Sequence, residues 1–241
     1  MFGRKSVSFF AALTFLIAAS FSAQAATGLD KGAEKARVES PLNLAILVQD
    51  DLVSRVGSEL EATRDFIRTL PAGSRVMIAY VTTGSLQVRQ AFTDDLEKAA
   101  KALRQPRASE TASPYNPYVE VKEALRKFEE GGANRNALLL ISDGLDISHG
   151  FDIESAGNTI DLLRAVKEAQ KRNVAVYSFY APTVGLTSWN RLAVNYGQSS
   201  LNRLSDETGG RAFFQGTSFV TFDSYFDRLR ETLNSQYAKA Y

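Results

Sequence analysis

Acidic residues follow two of the short, mostly apolar runs in this chain. Asp50 and Asp51 follow LAILVQ, and Asp143 follows ALLLIS. Such runs, without polar alternation, are typical of strands buried on both faces of a parallel sheet. The carboxyl ends of parallel strands meet at one edge of the sheet, where these folds bind ligands. Carboxylates and nearby hydroxyls are hard oxygen ligands, so the pattern favours a site for Mg²⁺, Mn²⁺ or Ca²⁺.

The composition excludes several other kinds of site. The chain has 241 residues, no Cys and a single His, His149, which we predict to lie in a surface loop. Disulfides, thiolate sites, cysteine nucleophiles and multi-histidine metal sites are therefore excluded. Neither a P-loop nor a G-x-S-x-G nucleophile elbow is present. With 28 basic and 27 acidic residues, the formal net charge is +1, which does not favour nucleic-acid binding.

The order of predicted elements places the acids in one α/β domain. Predicted strands cover 44–49, 75–82, 86–91, 137–142, 174–180 and 211–214. Predicted helices cover 58–70, 93–103, 118–130, 159–172, 199–208 and 219–237. The second and third strands are joined by Thr83-Gly84-Ser85, which predicts a hairpin. We therefore predict a three-layer, doubly wound, mostly parallel sheet with one antiparallel edge strand.

The N-terminal residues are typical of an export signal. Residues 1–25 combine a basic start, an uncharged apolar stretch and the A-x-A triplet Ala23-Gln24-Ala25. The apolar stretch is shorter than the roughly 20 residues that a membrane span needs. We predict cleavage after Ala25, a flexible leader over 26–41 and a single domain over 42–241. The mature protein would have no membrane span and would be periplasmic or secreted; an uncleaved anchor is the alternative.

The chain resembles the von Willebrand factor type A domains, specifically the exported bacterial group called VWFA-related. The segments that carry the resemblance are LAILVQDDLVS, RVMIAYVT followed by LQVRQAF, ALLLISDGLD, VAVYSFYAP and LNRLSDETGGRAFFQG. The resemblance as a whole covers about 43–237, nearly the whole predicted mature chain. The resemblance implies the α/β fold described above and a role in adhesion or protein binding.

The resemblance also implies a metal-ion-dependent adhesion site. In the family, a D-x-S-x-S loop, a threonine from a second loop and a later aspartate hold a divalent cation, and an acidic residue of the partner completes its coordination. Asp50 corresponds to the first aspartate, Ser54 to the second serine and Asp143 to the later aspartate. Leu52 stands where the first serine is expected. The implied site is therefore partly degenerate, with Mg²⁺, Mn²⁺ or Ca²⁺ as its candidate cofactor.

Two irregular segments, 104–117 and 181–198, would complete the binding face. In the first we assign Ser113 to the family threonine, with Thr111 and Asn116 as alternatives. Long loops in compact domains are often functional, and aromatic side chains are enriched where proteins bind each other. We therefore predict partner contacts by three aromatic residues, with packing onto the sheet as the alternative: Tyr115, Tyr118 and Trp189.

Three functions remain open at this point. The first is a protein-binding module that uses this edge of the sheet and is not an enzyme. The second is a metal-assisted hydrolase that uses Asp50, Asp51 and Asp143, although no nucleophile–base pair is evident. The third is a structural domain whose metal site is inactive, which Leu52 favours.

Overall fold

Strands and helices alternate along the chain, as predicted. The computed structural model describes residues 38–109, 116–129, 135–148, 158–214 and 221–239. The strands in these residues are β1 (Leu42–Gln49), β2 (Arg75–Thr82), β3 (Ser85–Thr93), β4 (Arg135–Ser142), β5 (Val174–Tyr180) and β6 (Ala212–Phe213). The α-helices are α1 (Arg55–Arg68), α2 (Leu96–Ala102), α3 (Pro117–Leu125), α4 (Ile160–Lys171), α5 (Arg191–Asp206) and α6 (Phe222–Lys239). The predicted signal peptide and most of the predicted leader lie outside the described residues.

The strands form one sheet in the order β3-β2-β1-β4-β5-β6. All neighbouring pairs are parallel except β2 with β3, which are antiparallel and place β3 at an edge. This arrangement confirms the predicted mostly parallel sheet with one antiparallel edge strand. The central strand β1 is buried along its full length, because helices cover both faces of the sheet.

Alternate residues of β1 enter two separate cores. Leu44, Ile46 and Val48 pack with α1, α2 and α6 on one face of the sheet. Ala45 and Leu47 pack with α3, α4 and α5 on the other face. This alternation follows from the two-residue period of a strand. No helix in the described part of the chain is both long enough and apolar enough to span a membrane.

The structure corrects the prediction that 181–198 is a loop throughout. The helix α5 begins at Arg191, eight residues before the predicted start. The side chain of Asn190 caps it by accepting hydrogen bonds from the backbone N–H groups of Leu192 and Ala193. Gly197 lies within this helix although glycine lowers helix propensity. The backbone at the end of β4 approaches so closely there that a side chain would not fit.

The close contact at Gly197 joins α5 to the end of β4. A Cβ atom built on Gly197 would lie 1.9 Å from the backbone oxygen of Asp143, a distance that no native contact permits. A Cβ atom on Gly57 in α1 would instead meet the flexible side chain of Gln105, at 2.9 Å. Glycine is therefore required at position 197 for packing, and much less so at position 57.

We expect Gly197→Ala to lower the free energy of unfolding by about 1–3 kcal/mol or more, because the added methyl group forces α5 away from β4. Urea denaturation measures this change. Gly57→Ala is the matched control, and we expect it to be close to neutral because alanine favours the helix. Equal losses in the two variants would contradict the close packing at Gly197.

Candidate functional site

The loops that follow β1 and β5 pair with each other at the carboxyl edge of the sheet. The backbone N–H of Val53 donates to the carbonyl of Pro182 (3.1 Å), and that of Val184 donates to the carbonyl of Asp51 (3.0 Å). Leu52 forms an isolated antiparallel bridge with Thr183, and its side chain is fully buried in the core. The residue that replaces the family serine is therefore an apolar packing residue between two loops.

Asp50 is fully buried and bound by an arginine from the segment after α2. Arg104 donates from Nη1 to Oδ1 (2.5 Å) and from Nη2 to Oδ2 (2.8 Å), which is a bidentate ion pair. The backbone N–H of Arg107 lies 3.2 Å from Oδ1 and 2.8 Å from the backbone oxygen of Asp50. The hydrogen bond with Asp50 is the main cause that raises the pKa of Arg104 above its ordinary value. Both carboxylate oxygens of Asp50 are thus engaged within the chain.

Tyr80 on β2 holds Arg104 in place. Its hydroxyl accepts a hydrogen bond from the backbone N–H of Arg104 (2.7 Å) and donates one to the backbone oxygen of Arg104 (2.6 Å). The guanidinium carbon lies 3.9 Å from the centre of the Tyr80 ring, within the range of a cation–π interaction. Burial raises the pKa of Tyr80, so its hydroxyl stays protonated as a donor. Arg104 is therefore fixed at both its backbone and its side chain.

Asp143 is also buried and satisfied by neighbours. Its Oδ2 accepts hydrogen bonds from the hydroxyls of Thr183 (3.1 Å) and Thr187 (2.9 Å), and its Oδ1 accepts one from the backbone N–H of Leu145 (3.1 Å). Burial raises the pKa of Asp143, and these hydrogen bonds oppose that effect. Both threonines belong to the loop after β5, so this carboxylate fixes that loop to the end of β4.

Gln49, the last residue of β1, connects the two acidic positions. Its Nε2 donates to Oδ1 of Asp51 (2.8 Å). Its Oε1 accepts from the hydroxyl of Ser142 (2.5 Å) and lies 3.4 Å from the backbone nitrogen of Asp143. Because Asp51 is buried as well, all three acids predicted for this edge lie below the surface.

The remaining predicted site residues lie in different surroundings. Ser54 is exposed at the start of α1, and no described hydrogen bond joins it to Asp50. Asn116 caps α3 by accepting from the backbone N–H of Tyr118 (2.9 Å). Tyr118 is fully buried and donates to the carbonyl of Gly144 (2.7 Å), so it packs the fold and is not accessible to a partner. Trp189 is exposed. Ser113, Thr111, Tyr115 and His149 lie outside the described residues.

The residues at this edge, as they are arranged, do not fit a divalent cation. A cation at Asp50 would have to displace the guanidinium of Arg104 from both carboxylate oxygens. The only described hydroxyls on Asp143 are those of Thr183 and Thr187, which come from the β5 loop and not from 104–117, where the family threonine was expected. Within the described ranges, no group of three or more His, Cys, Asp or Glu residues is placed to hold a metal ion.

Sequence reasoning missed the residues that bind these acids. Arg104 and Arg107 lie in the segment that we searched only for hydroxyl and aromatic side chains. The available signal was the run RQPR, which places two arginines three residues apart in a segment expected to complete the face that holds the aspartates. Thr183 and Thr187 lie in the β5 loop, where four-residue spacing alone gives no indication of a shared carboxylate.

The buried Asp50–Arg104 pair predicts a large effect of removing one partner. We expect Arg104→Gln to lower the free energy of unfolding by about 3–5 kcal/mol, because Asp50 would remain buried without its charge partner. We expect the double variant Asp50→Asn, Arg104→Gln to lose less than the sum of the single variants. Urea denaturation of the four proteins in this cycle measures the coupling between the two residues.

Arg64 offers a matched control for this cycle. Its side chain is 23% exposed, close to the 24% of Arg104, but its partner Glu61 is largely exposed. Exposed pairs contribute at most about 1 kcal/mol. An effect of Arg64→Gln as large as that of Arg104→Gln would show that the burial of Asp50 is not the cause.

Comparison with known proteins identifies the fold. No protein-family profile matches the chain, and no curated protein matches it by sequence. BatB from Bacteroides thetaiotaomicron, a conserved hypothetical protein, has a similar structure with a TM-score of 0.54 and 14% identity, over 82% of this chain and 99% of that chain. An aerotolerance-related membrane protein from Bacteroides fragilis, solved with multiple mutations to serines, gives 0.53 and 12%, over 80% and 99%.

The SpRpn10 VWA domain also matches, with a TM-score of 0.45 and 12% identity, over 76% of this chain and 93% of that chain. The two structures with TM-scores above 0.5 are similar in fold, and identities this low bear on nothing else. The mostly parallel sheet with a single antiparallel edge strand is the one that the resemblance in the sequence implies. The described part of this chain has the fold of a von Willebrand factor type A domain.

Proposed function

We propose that this chain is an exported protein-binding module that recognises its partner through the carboxyl edge of the sheet. The observation that carries this proposal is the exposure of two large apolar side chains at that edge. Trp189 is 73% exposed and Leu192 is 53% exposed, three residues apart at the start of α5. Tryptophan is rarely left in water, and it is enriched among the residues that contribute most to protein interfaces.

The burial and the hydrogen bonds of the three acids support a binding function in preference to catalysis. Asp50, Asp51 and Asp143 are all buried, and each has hydrogen-bond partners within the chain. A metal-assisted hydrolase needs a carboxylate that is open to a metal or to water. Asp143 instead fastens the β5 loop, which leads to the exposed residues, and Asp50 fastens the segment after α2, so their role under this proposal is to hold the binding face rigid.

Export rests on the sequence of residues 1–25, with a periplasmic or secreted destination. The similar structures include an aerotolerance-related membrane protein of Bacteroides fragilis, which is compatible with a bacterial protein that works at or beyond the membrane. A purely structural domain is the competing proposal. It gives no reason for an exposed tryptophan beside a rigid edge, whereas a binding face does.

Site-specific photo-crosslinking in the producing cells tests the proposal. A photoreactive residue at position 189 or 192 should give a crosslinked product of one size, because both positions face the same partner. Ala72 is exposed in the turn before β2, at the opposite edge of the sheet, and provides the control position. Equal products from position 72, or no product from positions 189 and 192, would contradict the proposal.

Trp189→Ala should weaken the recovery of the same partner by tenfold or more, in line with the loss of a central interface residue. Because the side chain is exposed, we expect the free energy of unfolding to change by no more than about 0.5 kcal/mol. Partner recovery from cell extracts, measured at several protein concentrations, gives the first value, and urea denaturation gives the second. Unchanged recovery would remove Trp189 from the binding face.

A further inference from the structure

We infer that the guanidinium of Arg104 takes the place of a divalent cation at this edge of the sheet, and that the adjacent Arg107 binds a carboxylate of the partner. This inference rests on the proposed function for its partner, but its tests need no partner. It departs from the adhesion site that the sequence resemblance implied. In that site, one bound ion both neutralises the aspartates and binds the acidic residue of the partner.

Asp50 is a fully buried carboxylate directly after β1. A buried carboxylate without a counter-charge is strongly unfavourable, so a family member that keeps this aspartate needs a cation beside it. Arg104 supplies that positive charge from within the chain, with one nitrogen on each carboxylate oxygen at 2.5 and 2.8 Å. A guanidinium matches both oxygens of a carboxylate at once, as a compact ion pair.

Several contacts hold Arg104 against displacement by an incoming metal ion. Arg104 is bound to Tyr80 by two hydrogen bonds through its backbone and by the ring beneath its guanidinium. Its Nη1 also donates to the carbonyl of Gln105 (2.9 Å). A metal ion would have to break the contacts of the side chain while the backbone stays anchored. The buried Leu52, which stands where the resemblance implies a serine, leaves the incoming ion one ligand fewer from the first loop.

Arg107 is placed differently from Arg104. Its backbone N–H is fixed on Asp50, yet its side chain is 61% exposed. Only its Nε approaches Asp50, at 3.5 Å from Oδ2. Among the residues that the structure describes, no other acid pairs with Arg107. A rigid backbone with an exposed guanidinium is suited to receive a carboxylate from outside through its two terminal nitrogens.

Thermal unfolding with and without divalent cations tests the first part. We expect the Tm in EDTA and in 5 mM Mg²⁺, Mn²⁺ or Ca²⁺ to agree within about 1 °C, for the unchanged chain and for Arg107→Gln. A cation present at 100 times its Kd would raise the Tm by about 5–10 °C in a domain of this size. A rise of that size in the unchanged chain would overturn the replacement of the cation by Arg104.

Arginine side-chain NMR tests the second part, with acetate as the carboxylate and acetamide as its neutral counterpart, in EDTA and at constant ionic strength. The Arg107 signal is identified by its loss in Arg107→Gln and its retention in Arg89→Gln, a control at an exposed position on β3. We expect acetate to shift the Nε–Hε signal of Arg107 with a half-saturation at least tenfold lower than that of Arg89. We expect acetamide to leave the signal in place.

Two outcomes would overturn the role of Arg107, namely equal responses of Arg107 and Arg89 to acetate, or equal effects of acetate and acetamide. Either result would leave the crosslinking test at positions 189 and 192 unaffected. Conversely, failure of the crosslinking test would remove the proposed partner without altering a measured preference of Arg107 for acetate. The failure of this inference and the failure of the proposed function are therefore distinguishable.

Discussion

The ion pair between Asp50 and Arg104 is the constraint around which this edge of the sheet is organised. Asp50 is fully buried at the end of the central strand, so its charge has to be compensated there. The compensating group comes from a segment that follows α2, and its position is fixed in turn by Tyr80 on β2. One buried carboxylate thus determines the path of a segment more than fifty residues away along the chain.

A second buried carboxylate, Asp143, fixes the loop on the other side of this edge. Asp143 holds the β5 loop through two threonine hydroxyls, and Gly197 lets α5 approach the same strand end. Leu52 closes the space between the loops after β1 and β5 with an apolar contact where the family has a metal-ligating hydroxyl. The acids that the sequence indicated as a catalytic or metal-binding cluster thus connect neighbouring segments at this edge. The exposed side chains of Trp189 and Leu192 lie just after Thr187, the last contact of Asp143 in the β5 loop.

The parts of the fold that sequence could predict are those determined by local pattern. The apolar runs of β1, β4 and β5 indicate buried parallel strands because such strands have no polar face, and Thr83-Gly84-Ser85 indicates the β2–β3 hairpin. The predicted start of α5 was wrong, because Gly197 weakens the local helix signal. Glycine is needed there for packing against the end of β4, a contact that the local sequence does not indicate. The pairing of Asp50 with Arg104 was missed for a similar reason. It depends on which residue of an irregular segment reaches a buried strand end, and residue spacing carries no information about that.

A positive charge on an arginine of the chain behaves differently from that of a metal ion bound from solution. Arg104 is present in every folded molecule at a fixed stoichiometry, whereas the occupancy of an ion site follows the free concentration of the ion. A chelator or a change in metal supply would therefore leave this edge in the same state. Its exposed charges would still respond to the salt concentration that screens them.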